Sequence, residues 1–101
     1  MTIEARPFDA AAYLDTAGDQ ASLLSDAIDS GDHRYIAYAL GAVARARGGI
    51  AKLAKEAGLS RQALHTALSE NGNPTLETVI KVVKALGLEM RIEEPGKREA
   101  A

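Results

Sequence analysis

Residues 50–68 read IAKLAKEAGLSRQALHTAL, and this stretch decides the fold. Ile50, Leu53, Ala54 and Ala57 recur at three- and four-residue intervals, which predicts a short helix with one apolar face. Gly58 follows where a helix ends in the left-handed conformation that glycine adopts without steric cost. Ser60 is placed to cap a second helix, expected from Arg61 to about Glu70 and anchored by Leu64 and Leu68. Two short helices across the turn Gly58-Leu59-Ser60 have the spacing of a helix-turn-helix. The residue types suit that geometry. Ala54 is small where the helices cross, and Leu53, Leu59 and Leu64 fill the wedge between them.

Working outward, Asp32 is placed to cap a helix to about Arg47, with Ile36, Ala39, Leu40 and Val43 on one face and Gly48-Gly49 ending it. Upstream, Asp19 reads as the cap of a helix to about Asp29, with Leu24, Ala27 and Ile28 inward. A turn over residues 9–14 would pin Phe8, Tyr13 or Leu14 on the body. Downstream, Asn71-Gly72-Asn73-Pro74 is a turn. Thr75 is the expected cap of a last helix that turns Leu76, Val79, Ile80 and Val83 inward and ends at Gly87. Leu88-Glu89-Met90-Arg91-Ile92 alternates apolar and charged residues, a period-2 signal for a short strand. The expectation is an all-α chain of about five helices with a short C-terminal β-strand. It divides into an acidic segment with one or two helices over 1–31, the helix-turn-helix region over 32–92 and a flexible tail over 93–101.

The chain has 101 residues, enough for one modest core, and no cysteine, which removes disulfides, thiolate nucleophiles and cysteine zinc sites. Alanine numbers 20 and aromatics make up 4%, a composition that favours helix. The longest apolar run is well below the roughly 18–20 residues of a membrane span. Residues 1–7, MTIEARP, lack the basic-then-apolar pattern of a secretory signal, so a cytoplasmic location is expected. The net charge of −2 hides an asymmetry: residues 1–32 carry seven acids against Arg6, whereas residues 33–84 carry eight bases against three acids. The basic stretch is a candidate for phosphate contact, and solvated faces that differ by chance are the alternative.

In a helix-turn-helix the N-terminal end of the second helix reaches base edges in the major groove. Arg61, Gln62, His65 and Thr66 occupy that outer face and are the candidate base readers, with Arg61 suited to guanine and Gln62 to adenine. Arg45, Arg47, Lys52, Lys55 and Ser60 are the candidate contacts to the DNA backbone. The plain alternative is an αα corner in a helical bundle, with these residues merely solvated. Asp26, Asp29 and Asp32 recur every third residue but lack the pattern of a calcium loop; they read as a solvated face or as a surface steering a basic partner. His33 and His65 have no second metal ligand at suitable spacing, and no nucleophile triad or phosphate loop is present, so neither a metal, a cofactor nor an enzymatic activity is expected.

Residues 50–88 resemble the helix-turn-helix of the Cro and phage-repressor superfamily, including Asn71-Gly72-Asn73-Pro74-Thr75-Leu76 and the closing Lys84-Ala85-Leu86-Gly87-Leu88. Ile50 departs from it where a polar residue is frequent, as does Ala67 where a large aliphatic is usual. Over residues 6–92 the chain is similar to the addiction-module antidote proteins. The resemblance rests on Arg6-Pro7-Phe8-Asp9, Tyr13-Leu14, Ala46-Arg47-Gly48, the run Leu53–Arg61, and Leu68-Ser69-Glu70-Asn71-Gly72-Asn73-Pro74. It implies an antitoxin that neutralises a RelE/ParE-like toxin and, as a homodimer, represses its own operon at a palindromic operator. A stand-alone regulator and an interaction module without DNA binding are the alternatives. Val82, Leu86, Leu88, Met90 and Ile92 are the candidate dimer residues, because a lone strand needs a partner to satisfy its backbone; the alternative is that the segment packs on its own domain.

Overall fold

The computed structural model describes residues 10–96. A 3-10 turn, Ala10–Tyr13, leads into five α-helices: α1 Ala17–Ser30, α2 His33–Ala46, α3 Ile50–Ala57, α4 Arg61–Ala67 and α5 Leu76–Ala85. The described residues contain no strand.

Helix α2 is the centre of the packing. Ala37, Ala39, Leu40, Gly41, Ala42, Val43 and Ala44 are all buried along it, so it is enclosed on more than one side. Four alanines and a glycine in that set let neighbouring backbones approach closely, since interhelix distance follows the side chains at the contact. The 3-10 turn, α1 and α3 pack against α2, and α5 closes the core by packing on α3. A single apolar cluster joins Leu14, Leu24, Leu40, Leu53, Leu64 and Val82, and it runs across the junction between residues 31 and 32.

The helix starts are set by side-chain caps. Asp32 caps α2 by accepting from the Arg34 amide at 2.9 Å. Ser60 caps α4 through the Ala63 amide at 3.0 Å, and Thr75 caps α5 through the Thr78 amide at 3.1 Å. Helix α1 begins earlier than the sequence reading placed it. Thr16, not Asp19, is the N-cap: its Oγ1 accepts from the Asp19 amide at 3.0 Å while Asp19 Oδ2 accepts from the Thr16 amide at 3.3 Å. Asp19 is thus the third helical residue of a reciprocal capping box. Helix α4 stops at Ala67, before the expected Glu70, where Ser69 Oγ donates to the Thr66 carbonyl at 2.8 Å.

Several faces differ from expectation. Leu14 is buried, whereas Tyr13 is 69% exposed; Phe8 lies outside the described residues. Ile28 is 40% exposed rather than inward with Leu24 and Ala27. On α5, Val82, Val83 and Leu86 are buried, while Leu76 and Ile80, expected inward, are 70% and 40% exposed. The apolar residues of α5 span a wider arc than one neighbour covers, and packing on α3 selects the side bearing Val82 and Leu86. Those two are therefore core residues of the monomer and not a free dimer face. The expected strand at 88–92 is not formed, and no other described segment of the chain is a strand that could pair with it. Leu88 instead packs partly on the core, with its amide bonded to the Val83 carbonyl at 3.1 Å, and Met90 and Ile92 stand exposed. Of the expected tail, residues 97–101 lie outside the described residues, and 93–96 form no helix or strand.

Gly72 closes the α4–α5 connection. It is buried, its amide donates to the Ser69 carbonyl at 2.8 Å, and a Cβ at this position would collide with the Thr66 and Ala67 backbone carbonyls. Backbone cannot move aside as a flexible side chain can. Gly72→Ala is therefore expected to destabilise by about 2–3 kcal/mol, a fall in Tm of roughly 10 °C or more for a chain of this size. Gly18→Ala is the control. There the new Cβ meets only Thr16 Oγ1 at an ordinary 3.6 Å in a helix, so Tm should hold or rise slightly. Thermal melts followed by circular dichroism compare the two.

Candidate nucleic-acid interface

The α3–α4 unit is built by one turn. Gly58 adopts φ 71° and ψ 32°, the left-handed conformation. Its amide bonds to the Lys55 carbonyl at 3.3 Å, and the Leu59 amide to the Ala54 carbonyl at 2.9 Å. This pair of bonds is a Schellman motif, which satisfies the last carbonyls of α3 and redirects the chain. Leu53, Ala54 and Leu64 are buried, and Leu59 packs partly on the same cluster. Leu64 and Leu68 hold α4 down by its inner side.

That anchoring leaves Arg61, Gln62, His65 and Thr66 exposed, at i, i+1, i+4 and i+5, which share one outward face of a helix. The structure divides the four. Gln62 and Thr66, with Ser60, line an open groove of about 740 Å³ whose far wall includes Asn71, Asn73 and Thr78; Arg61 and His65 are not among its lining residues. The wall residues escaped the sequence reading, which treated Asn71–Pro74 only as a turn. The signal available was two amide side chains flanking a glycine. Recognising its meaning requires knowing that Gly72 lies against the end of α4.

The candidate backbone contacts do not behave alike. Lys52 and Lys55 are exposed on α3, and Ser60 uses its Oγ to accept from Ala63 while keeping a hydroxyl proton to donate. Arg45 lies in a second cleft with Arg34, Tyr38 and Glu70, on the side of α4's C-terminal end. Arg47 is exposed, but its guanidinium reaches back along the surface: Nη1 donates to the Leu86 carbonyl at 2.7 Å and to Gln20 Oε1 at 3.4 Å. Gln20 is buried and its Nε2 donates to the Leu14 carbonyl at 3.3 Å. Arg47 is thus a brace between α1, α2 and α5. A polar residue on the inner side of α1 was its sole trace in the sequence.

The acidic residues of α1 and its junction with α2 are exposed, and Asp19, Asp26 and Asp32 have roles in the fold. Asp19 belongs to the capping box and Asp32 caps α2. Asp26 Oδ2 accepts from the Tyr35 hydroxyl at 2.6 Å, joining α1 to α2. This bond, with smaller contributions from burial and the Asp26 charge, holds the Tyr35 phenol above its usual range. No group of three or more His, Cys, Asp or Glu side chains among the described residues is arranged to hold a metal ion. No described helix is long and apolar enough to cross a membrane.

The chain is thus a small helical protein with a short-turn helix pair that exposes polar and basic side chains. Residues 4–94 match the family model described as "Probable addiction module antidote protein", and the chain belongs to that family. A protein of Haemophilus influenzae (strain Rd), described as "Uncharacterized protein", is 38% identical over 94 residues, covering 93% of this chain and 96% of the relative. No solved structure matches the chain significantly.

Arg47→Ala should separate the brace from the surface bases. Losing a charge-assisted bond and leaving Gln20 half-satisfied is expected to cost about 1–3 kcal/mol in urea unfolding. Lys52→Ala and Lys55→Ala are expected to stay within about 0.5 kcal/mol of the parent, as exposed positions do. Equal effects at all three would remove the assignment of Arg47 to the fold.

Proposed function

We propose that this chain is the antitoxin of a toxin–antitoxin pair, that it neutralises a RelE/ParE-like toxin, and that it represses its own operon by sequence-specific DNA binding. The observation that carries the DNA half is the α3–Gly58–α4 unit, which presents Arg61, Gln62, His65 and Thr66 together on an exposed face. In this reading the unit is a helix-turn-helix of the Cro and phage-repressor kind. Helix α4 enters the major groove, Arg61 takes guanine and Gln62 adenine, and Lys52, Lys55, Arg45 and the Ser60 hydroxyl contact phosphates. Membership in the antidote family supports the toxin half. The protein works in the cytoplasm, carries no catalysis of its own, needs no cofactor, and binds a palindromic operator as a homodimer.

A second reading keeps the toxin and drops the DNA. The bonding of Arg47 favours it, because the guanidinium of one of the five candidate backbone contacts already donates to the Leu86 carbonyl and to Gln20. Binding to the upstream region of its own gene, followed by fluorescence anisotropy over a range of salt, decides between them.

Arg61→Ala is expected to relax preference at one base position by about 5- to 150-fold, matching about 1–3 kcal/mol for a bidentate contact. Lys55→Ala should weaken binding evenly on all sequences and lower the slope of log affinity against log salt by about 0.9. A slope near zero for the parent chain would leave only the interaction module. Co-expression with the product of the adjacent small gene tests the toxin half: co-purification and growth rescue support it, and absence of both removes it.

A further inference from the structure

The cleft at the C-terminal end of α4 has a volume of about 510 Å³ and two walls. One wall is α2, through Arg34, Tyr38 and Arg45; the other is the α4–α5 connection, through Ser69, Glu70 and Asn71. The three α2 residues follow at intervals of four and seven, which keeps them on one face of the helix. Gly41 falls between Tyr38 and Arg45 on that face and is buried. A Cβ there would lie 3.6 Å from Arg45 Nη1 and 3.7 Å from the Leu68 carbonyl oxygen. The Arg45 guanidinium is thus laid back along α2, over Gly41 and toward Tyr38. Arg34 is exposed and Tyr38 is 40% exposed, so the α2 wall meets solvent.

We infer that this cleft takes a phosphate of the DNA backbone lying outside the stretch that α4 reads, and that Arg34 and Tyr38 join Arg45 in holding it. The lining has the chemistry of a phosphate site. Two guanidiniums, a phenol, a hydroxyl and an amide contribute to it, and the guanidinium fork matches phosphate oxygens. Continuity favours DNA over an acidic protein. Ser69 and Asn71 line this cleft and also the groove that holds Gln62 and Thr66, so one strand can run from the base-reading face past Asn71 to Arg34. Glu70 opposes the contact. It is exposed and is the one acidic group of the lining, so its carboxylate weakens the hold on an anion. The sign of its effect therefore separates an anion site from a site for a basic partner.

The inference rests on the proposed DNA binding and extends it. Helix α2 adds a contact beyond the four residues of α4, so each bound copy covers more duplex than its base contacts need. The fold does not depend on Arg34 for this. Its side chain is exposed in the first turn of α2, the end where the helix dipole disfavours a cation, so removing it is not expected to cost stability.

Two duplexes from the upstream region of the chain's own gene test it, by fluorescence anisotropy over a range of salt. The shorter ends at the outermost base pair whose substitution changes affinity, and the longer runs about ten base pairs further on each side. The parent is expected to bind the longer duplex about threefold or more tightly, with a salt slope steeper by about 0.9 per bound copy. Arg34→Ala should lose that advantage while melting at the parent's temperature, and Arg34→Lys, which keeps the charge, should retain most of it. Glu70→Gln should tighten binding to the longer duplex by about threefold and leave the shorter one unchanged. An Arg34→Ala variant that keeps the advantage, or that weakens both duplexes equally, overturns the inference, as does a Glu70→Gln variant that binds more weakly. If Arg34→Ala leaves DNA binding intact but abolishes capture of the adjacent gene's product, the cleft belongs to a protein partner and the inference is likewise overturned. A parent that binds neither duplex removes the DNA reading itself; every other failure leaves that reading standing.

Discussion

One guanidinium ties the ends of three helices to each other at the edge of the core. Arg47 sits where α2 ends, and its side chain bonds the carbonyl of Leu86, where α5 ends, while also reaching Gln20 on α1. Helix C-terminal ends carry unsatisfied carbonyls and partial negative charge, so a cation placed between two of them is favoured on both sides. The consequence reaches the candidate interface indirectly. Helix α3 packs between α2 and α5, and α4 is carried on α3 through the Gly58 turn. Fixing α2 against α5 therefore fixes the platform on which Arg61, Gln62, His65 and Thr66 are displayed.

The parts legible in the sequence are those whose causes are local. Gly58 and Ser60 lie within three residues of one another, and each acts on the backbone beside it, so the α3–α4 pair could be read directly. Asp32 and Thr75 marked helix starts for the same reason. Thr16 and Asp19 show the limit of that method. Both residue types cap helices, and only the reciprocal bonds between them reveal which one stands outside the helix. The strand failed for a different reason. Alternation at 88–92 describes what a sheet would want, and no other described segment of the chain is a strand for it to pair with.

Helix α5 shows why a hydrophobic pattern can give the right helix and the wrong face. Leu76, Val79, Ile80, Val82, Val83 and Leu86 cover too wide an arc for periodicity to choose one side. Tertiary contact made the choice. The site shows the same division between local and non-local causes. Exposure of the four α4 residues follows from the anchoring of Leu64 and Leu68, which spacing reveals. The opposite wall at Asn71, Asn73 and Thr78 follows from the close approach of Gly72 to the end of α4, which spacing does not reveal.

The two charged faces also differ in how committed their residues are. On the acidic side, Asp19, Asp26 and Asp32 all serve the fold by capping helices or tying α1 to α2. Their negative charge is thus partly a by-product of helix capping, and charge alone is weak ground for locating a partner there. On α4 the situation is reversed. Leu64 and Leu68 carry the packing, Ser60 carries the cap, and none of Arg61, Gln62, His65 and Thr66 is buried. A seven-residue helix that exposes four polar side chains gains little stability from them, so substitutions there change its outer face while leaving the packing through Leu64 and Leu68 intact.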